Sequence, residues 1–151
     1  MKKILHLTLN KEWFDMILCR AKPYEYREIK EYWFRRLIKN ANGIKKSDIV
    51  KHLSAMKNFD ETGEVVRFMP GYHLRHFSSE DLMKYLKLEF RTFDIVRCVN
   101  GYRKDNPSFD IEFGQTRISL GYSFLGAVPK VYYFSILLGQ IIEKRNIQGG
   151  K

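Results

Sequence analysis

The sequence predicts an α+β domain: a small mixed β-barrel with flanking helices and a helical insertion over residues 40–92. Three observations point there. Aromatic residues make up 15% of the 151 residues, with 11 Phe and 9 Tyr, and such side chains suit a pleated, half-buried surface. About six stretches alternate apolar with polar side chains at a period of two, the late ones joined by short turns, which is the pattern of a small barrel. Over residues 40–92 that texture gives way to helical spacing and irregular chain. The length is that of one domain, and 44% hydrophobic residues supply enough apolar surface for a core.

The elements follow in order. In KILHLTLN, Leu5, Leu7 and Leu9 alternate with His6 and Thr8, predicting a strand with one buried face. Asn10 offers an N-cap to a short buried helix over KEWFDMILC. After a break at RAKP, YEYREI reads as a strand with Tyr24, Tyr26 and Glu28 on one face and Glu25, Arg27 and Ile29 on the other. KEYWFRRLIKN reads as a helix in which Trp33 and Leu37, four apart, share the packed side. NANG is a break. SDIVKHLSAMK predicts a capped helix beginning at Ser47. SSEDLMKYLKLEF predicts another, opened by Ser78 three residues before Asp81. Between these two helices the chain is irregular, with a brief strand at EVVRF. From Phe93 onward the reading is mostly strand: FDIVRCVN, a turn at GYRKDNP, SFDIEF, a turn at Gly114–Gln115, TRISLGYSF, a break at GAVP, and a long closing strand KVYYFSILLGQII. The tail EKRNIQGGK is expected to fray.

The net charge is +10, unevenly spread: residues 1–58 carry 14 basic and 6 acidic side chains, and residues 59–151 carry 13 and 11. A basic first third points to a polyanionic partner, nucleic acid above all; a solubilising surface is the plainer alternative. Cys19 and Cys98 stand in apolar neighbourhoods outside any metal-like cluster and read as buried thiols of a reducing cytoplasm, although spacing alone leaves a disulfide between them open. MKKILHLTLN has the lysines of a signal peptide, but its apolar run is short and interrupted. VYYFSILLGQII, the longest apolar stretch, falls short of a membrane span, so no membrane partner is expected. His6, His52, His73 and His76 form no ligand pattern and no Gly-rich phosphate loop is present; neither a metal nor a cofactor is expected.

Four stretches carry a resemblance: LHLTLNKEWFDMIL, AKPYEYREIKEYWFRRL, FDIVRCVNGYRKDNPSFDIEF and GYSFLGAVPKVYYFSILLGQII. Together they resemble the ASCH domain family of the PUA-like superfamily, in the form found in small bacterial and phage proteins. The family motif is Gly-x-Lys-x-x-Glu-x-Arg after a strand and a helix. Lys22, Glu25 and Arg27 match it, with Arg20 in place of the Gly, and Asn100, Gly101 and Tyr102 match the family's turn after a strand. The resemblance covers residues 4–39 and 93–143 and leaves out 40–92. It implies a five- or six-stranded barrel with a cleft at one mouth, lined by the motif, that binds RNA or modified nucleosides. For a few members it also implies an amidohydrolase activity on acylated cytidine, in which the motif Lys is joined by a Thr three residues later and a Glu from elsewhere. This chain has Glu25 at that Thr position, and a carboxylate cannot replace a hydroxyl nucleophile without a change of mechanism.

The expected function is therefore binding of RNA or a nucleotide in a basic cleft, through Lys22, Glu25, Arg27, Asn100 and Tyr102. Lys22 precedes Pro23 in a turn, where a side chain can point into a cleft. Arg27 presents a planar fork suited to a phosphate or a base edge, or else braces Glu25 two residues away. Glu25 suits a base amino group, or else neutralises the two cations. Tyr102 is the stacking candidate, because Trp33 has core spacing and Tyr26 falls between sheet and helix. The alternative function is a small hydrolase acting on acylated nucleosides or on RNA, with Lys22 and Glu25 as catalytic residues, Glu112 as a second carboxylate and Thr116 as a hydroxyl. DNA and free nucleosides are further ligands of the same chemistry. A third reading assigns residues 40–92, with Phe68, Tyr72 and Phe77, to a protein partner.

Overall fold

The structure, a computed structural model, describes residues 1–20, 23–59, 78–101, 105–120 and 131–147. In chain order these form β1 (Ile4–Leu9), α1 (Lys11–Leu18), β2 (Tyr24–Glu28), α2 (Glu31–Leu37), a 3-10 turn (Ala41–Gly43), α3 (Lys46–Asn58), α4 (Ser79–Leu86), β3 (Ile95–Asn100), β4 (Ser108–Leu120) and β5 (Tyr132–Arg145). The strands make one mixed sheet in the order β1-β3-β4-β5-β2. β1 runs parallel to β3, from Ile4 opposite Ile95 to Leu9 opposite Asn100, and β3 runs antiparallel to β4. The α+β class is as predicted. Among the described residues the sheet is open, with β1 and β2 as its edges, and does not close into the expected barrel.

Part of that difference lies at Gly114. The predicted hairpin turn at Gly114–Gln115 is absent, and β4 runs unbroken through both residues. A Cβ on Gly114 would stand 2.9 Å from the carbonyl oxygen of Leu137 and 2.9 Å from its Cγ. This glycine serves the close approach of a neighbouring strand, one of the reasons a strand tolerates the residue. Two predicted strands are thus one. The predicted strand at EVVRF and the break at GAVP lie outside the described residues.

The chain packs as two compact units, one of Met1–Glu25, Thr92–Gln115 and Ile136–Lys151, the other of Tyr26–Arg91 and Thr116–Ser135. In the first, Asn10 Oδ1 accepts the Trp13 N–H at 3.1 Å, the predicted cap, worth about 1 kcal/mol. Phe14 and Ile17 then fall on one buried face of α1, which packs on β1 and β3. The Phe14 ring meets Phe109 at 5.0 Å. Leu5, Leu7 and Leu9 are buried while His6 and Thr8 are exposed, as alternation requires. No disulfide joins the two cysteines. Cys98 is buried, whereas Cys19 is exposed, because it caps the C-terminus of α1 and lies off the Phe14–Ile17 face.

Polar side chains tie β3, β4 and β5 together in this unit. Arg97, opposite Asp110 in the register, donates from Nε at 2.9 Å and Nη2 at 3.1 Å to the two carboxylate oxygens. Arg145 donates to the same carboxylate and, from Nε, to Ser108 Oγ at 3.0 Å. Asp110 is only 3% exposed. The Arg97 hydrogen bonds, and then those of Arg145, outweigh burial and hold its carboxyl at about 2. The same clamp accounts for β5 extending to Arg145, into the tail expected to fray. Beyond it, Asn146 takes a left-handed φ of 57°, and its Nδ2 donates to Asp105 O at 3.2 Å.

In the second unit, α2 packs on α3, and Phe34, Leu37, Ile49 and Met56 on these helices are all buried. α3 begins at Lys46 with Lys45 in the cap position, so Ser47 lies inside the first turn and does not cap it, contrary to the prediction. The predicted box at α4 is present: Ser78 Oγ accepts the Asp81 N–H at 3.2 Å, and Asp81 Oδ2 accepts the Ser78 N–H at 3.0 Å. α4 ends at Leu86, short of the predicted Phe90. Lys87 takes a left-handed φ of 58°, and the N–H groups of Lys87 and Leu88 close on Lys84 O and Met83 O, a helix stop that ordinarily falls to glycine. The chain then pairs with the end of α2, Lys39 N–H donating to Glu89 O and Arg91 N–H to Leu37 O, both at 2.8 Å.

Two predictions follow from these contacts. Gly114→Val, which raises strand propensity, should nonetheless destabilise the protein by about 1–3 kcal/mol in urea unfolding, because the added atoms have no room. Asp110→Asn should cost about 2–3 kcal/mol at pH 7, since two half-buried guanidinium groups lose their common partner. The folded carboxyl titrates near 2, below an ordinary value of about 3.9, so this stabilisation is complete above about pH 4 and is lost as pH falls through 2. The gap between wild type and Asp110→Asn should therefore close over that window.

Candidate nucleic-acid interface

The residues singled out in the sequence fall in different places. Lys22 and Tyr102 lie outside the described residues. Glu25 and Arg27 alternate on the inner side of β2: Glu25 is 3% exposed, Arg27 is half-buried and Ile29 buried, while Tyr24 and Glu28 on the other face are exposed. Glu25 belongs to the first unit and Arg27 to the second, and both are engaged by neighbours. Asn100 ends β3, its N–H donating to Pro107 O at 2.9 Å, and Gly101 N–H donates to Leu9 O at 2.9 Å. Gly101 has a φ of 83°, the left-handed backbone that makes Asn-Gly a turn. Asn100 thus shapes the turn through its backbone.

What the second unit does assemble is a ladder of cations and rings built from β2 and α2. Arg27 projects its guanidinium over the Trp33 ring at 5.1 Å. Arg36, three residues along the helix from Trp33 and four from Tyr32, lies 6.0 Å and 4.5 Å from their ring centres. The two rings meet edge to face at 5.1 Å. Tyr32 is 54% exposed and Trp33 half-buried. Arg35 turns away to Glu31 at 3.2 Å, but among the described residues no carboxylate pairs with Arg36. The core reading of Trp33 is corrected here. The buried stripe of this segment is Phe34, Leu37 and Ile38, at the i, i+3, i+4 spacing of a core face. Trp33 stands beside that stripe, between two cations.

Such an arrangement suits a single-stranded nucleic acid. Aromatic and guanidinium planes stack on any base, and the cations meet the phosphates. An exposed cation–ring pair itself contributes about 0.5–1 kcal/mol.

Of the residues named for hydrolysis, Glu112 has a structural duty. Glu112 Oε1 accepts the Gln140 N–H at 2.8 Å, over Gly139, where a Cβ would meet that same oxygen at 3.0 Å. Thr116 is 7% exposed. In the first unit a cavity of 150 Å³ is lined by Ile17, Arg20, Pro23, Ile111, Leu138 and Gly139, so its wall includes the residues on either side of the motif's Ala21–Lys22. Arg20 there takes a left-handed φ of 64°. Comparison with known proteins adds no relative: no protein-family model, no curated protein and no solved structure matches the chain.

Truncating Trp33 separates a ladder from a core. Trp33→Ala should cost about 1–2 kcal/mol in urea unfolding, against roughly 3–5 kcal/mol for a tryptophan filling a core.

Proposed function

We propose that the protein is an RNA- or nucleotide-binding module of the PUA-like type, with the Arg27–Trp33–Arg36–Tyr32 ladder as the platform for its bases. The observation that carries this reading is the alternation of two guanidinium groups with two rings, one of them largely exposed. The charge distribution supports it, since residues 1–58 hold 14 of the 27 basic side chains and only 6 of the 17 acidic ones. The resemblance to the ASCH family gains support from Arg20, whose left-handed backbone stands where the family motif has glycine, the residue that takes this conformation at no steric cost. In this reading Lys22, Glu25 and Arg27 are ligand-binding residues, and Arg27 is also part of the ladder. Hydrolysis of acylated nucleosides or of RNA is the weaker reading, because Glu112 is committed to the Gln140 backbone.

Fluorescence anisotropy with labelled 12-mers of oligouridylate and oligodeoxythymidylate at low salt tests the proposal. Binding should weaken linearly in log–log form as salt rises. Tyr32→Ala and Arg36→Ala should each weaken it about 5- to 160-fold, the range of one stacked base at about 1–3 kcal/mol. Absence of binding to either oligomer, or binding indifferent to both substitutions, would refute the platform.

A further inference from the structure

A second feature of the same unit lies outside the ladder and, apart from Lys39, in the region that the family resemblance leaves uncovered. The C-terminal end of α4 and the chain just after α2 enclose a groove of 610 Å³, within the size range of small-ligand sites. Its charged wall carries Lys39, Lys84, Lys87 and Glu89, and Ile44, Met83 and Leu88 form apolar surface beside them. Glu89 reaches Lys39 at 3.5 Å, but both side chains are more than half exposed, which makes the pair a loose one. Among the described residues no carboxylate pairs with Lys84 or Lys87.

Ordinary helix chemistry accounts for only part of this. The partial negative charge at the end of α4 favours one cation in its last turn, and Lys84 fills that role. It does not account for Lys39, which comes from another segment. Nor does it account for a lysine at position 87, where the left-handed backbone favours glycine. Asn40, also on the groove, is left-handed as well, with a φ of 59°. Backbone held in a disfavoured region around a group of like charges is the arrangement expected where a ligand supplies the compensating charge.

We propose that this groove is a phosphate-binding site, in which the ammonium groups of Lys39, Lys84 and Lys87 hold the oxygens of two adjacent phosphate groups, those of a nucleic-acid strand or of a free polyphosphate. Lysine is suited to phosphate as a compact point charge with three donors. The inference stands apart from the ladder, although Lys39 follows Arg36 by three residues.

The test uses the full chain, the variant Lys84→Gln/Lys87→Gly and a charge-matched control, Lys46→Gln/Lys51→Gln, on α3. Glycine at 87 suits the backbone there, so the thermal midpoint shows whether the variant is folded. Titration calorimetry with sodium tripolyphosphate should show binding to wild type and control, weakened at least ~10-fold in the groove variant. In the oligouridylate titration the groove variant should lower the salt slope by about 1.4, which is 0.7 for each of two phosphate contacts. Tripolyphosphate bound in the groove with no oligomer binding would assign the site to free polyphosphate and refute the nucleic-acid reading. Tripolyphosphate that fails to bind, or binds the groove variant as it binds wild type, overturns the groove, and an unchanged salt slope then leaves the ladder standing alone.

Discussion

The close approach at Gly114 decides the path of the second half of the chain. Without a side chain there, β4 lies against the carbonyl of Leu137 and continues straight from Ser108 to Leu120. A turn at that point would send residues 116–120 back along the strand just made. Running on, they reach the second unit, where the Ile118 N–H donates to the buried Ser79 Oγ at 2.8 Å at the start of α4. The missing side chain at Gly114 thus lets β4 run on as one long strand where two short ones were expected.

Much of the fold was legible because its signals are local. Leucines alternating in β1, the Asn10 cap and the Ser78–Asp81 box each act within four residues, and all three are where the sequence places them. What was not legible depends on pairs far apart in the chain. A Gly-Gln step is written the same way whether it turns or admits a neighbour, and the neighbour, Leu137, lies 23 residues on. Asp110 meets arginines 13 and 35 residues away, which no local pattern announces, so the ordered end of β5 looked like a frayed tail. Ser47 has the right chemistry for a cap, but the chain enters α3 two residues too early to use it.

The candidate site divides along the same line. Strand alternation correctly put Glu25 and Arg27 on the inner face of β2. Helical spacing misassigned Trp33, because Leu37 is a neighbour of both Trp33 and Phe34, and the sequence does not say which of the two aromatic residues takes the core. The structure gives the core to Phe34 and leaves Trp33 to Arg27 and Arg36. Part of the positive charge of the first third thereby acquires a form, guanidinium groups interleaved with rings at β2–α2, while in the groove Lys39 joins Lys84 and Lys87 from the later chain. The ladder sits on a strand and a helix rather than on loops, which favours recognition of a shape and charge pattern over adaptation to many partners.

Trp33 itself reports on the central claim. With Trp13 replaced by Phe, Trp33 is the remaining tryptophan, and its emission can be followed as oligouridylate is added at low salt. Bases stacking on the ladder should quench that emission saturably, with a midpoint that moves to higher oligomer concentration as salt rises. Emission that stays constant while the oligomer binds would place the nucleic acid elsewhere and contradict the account.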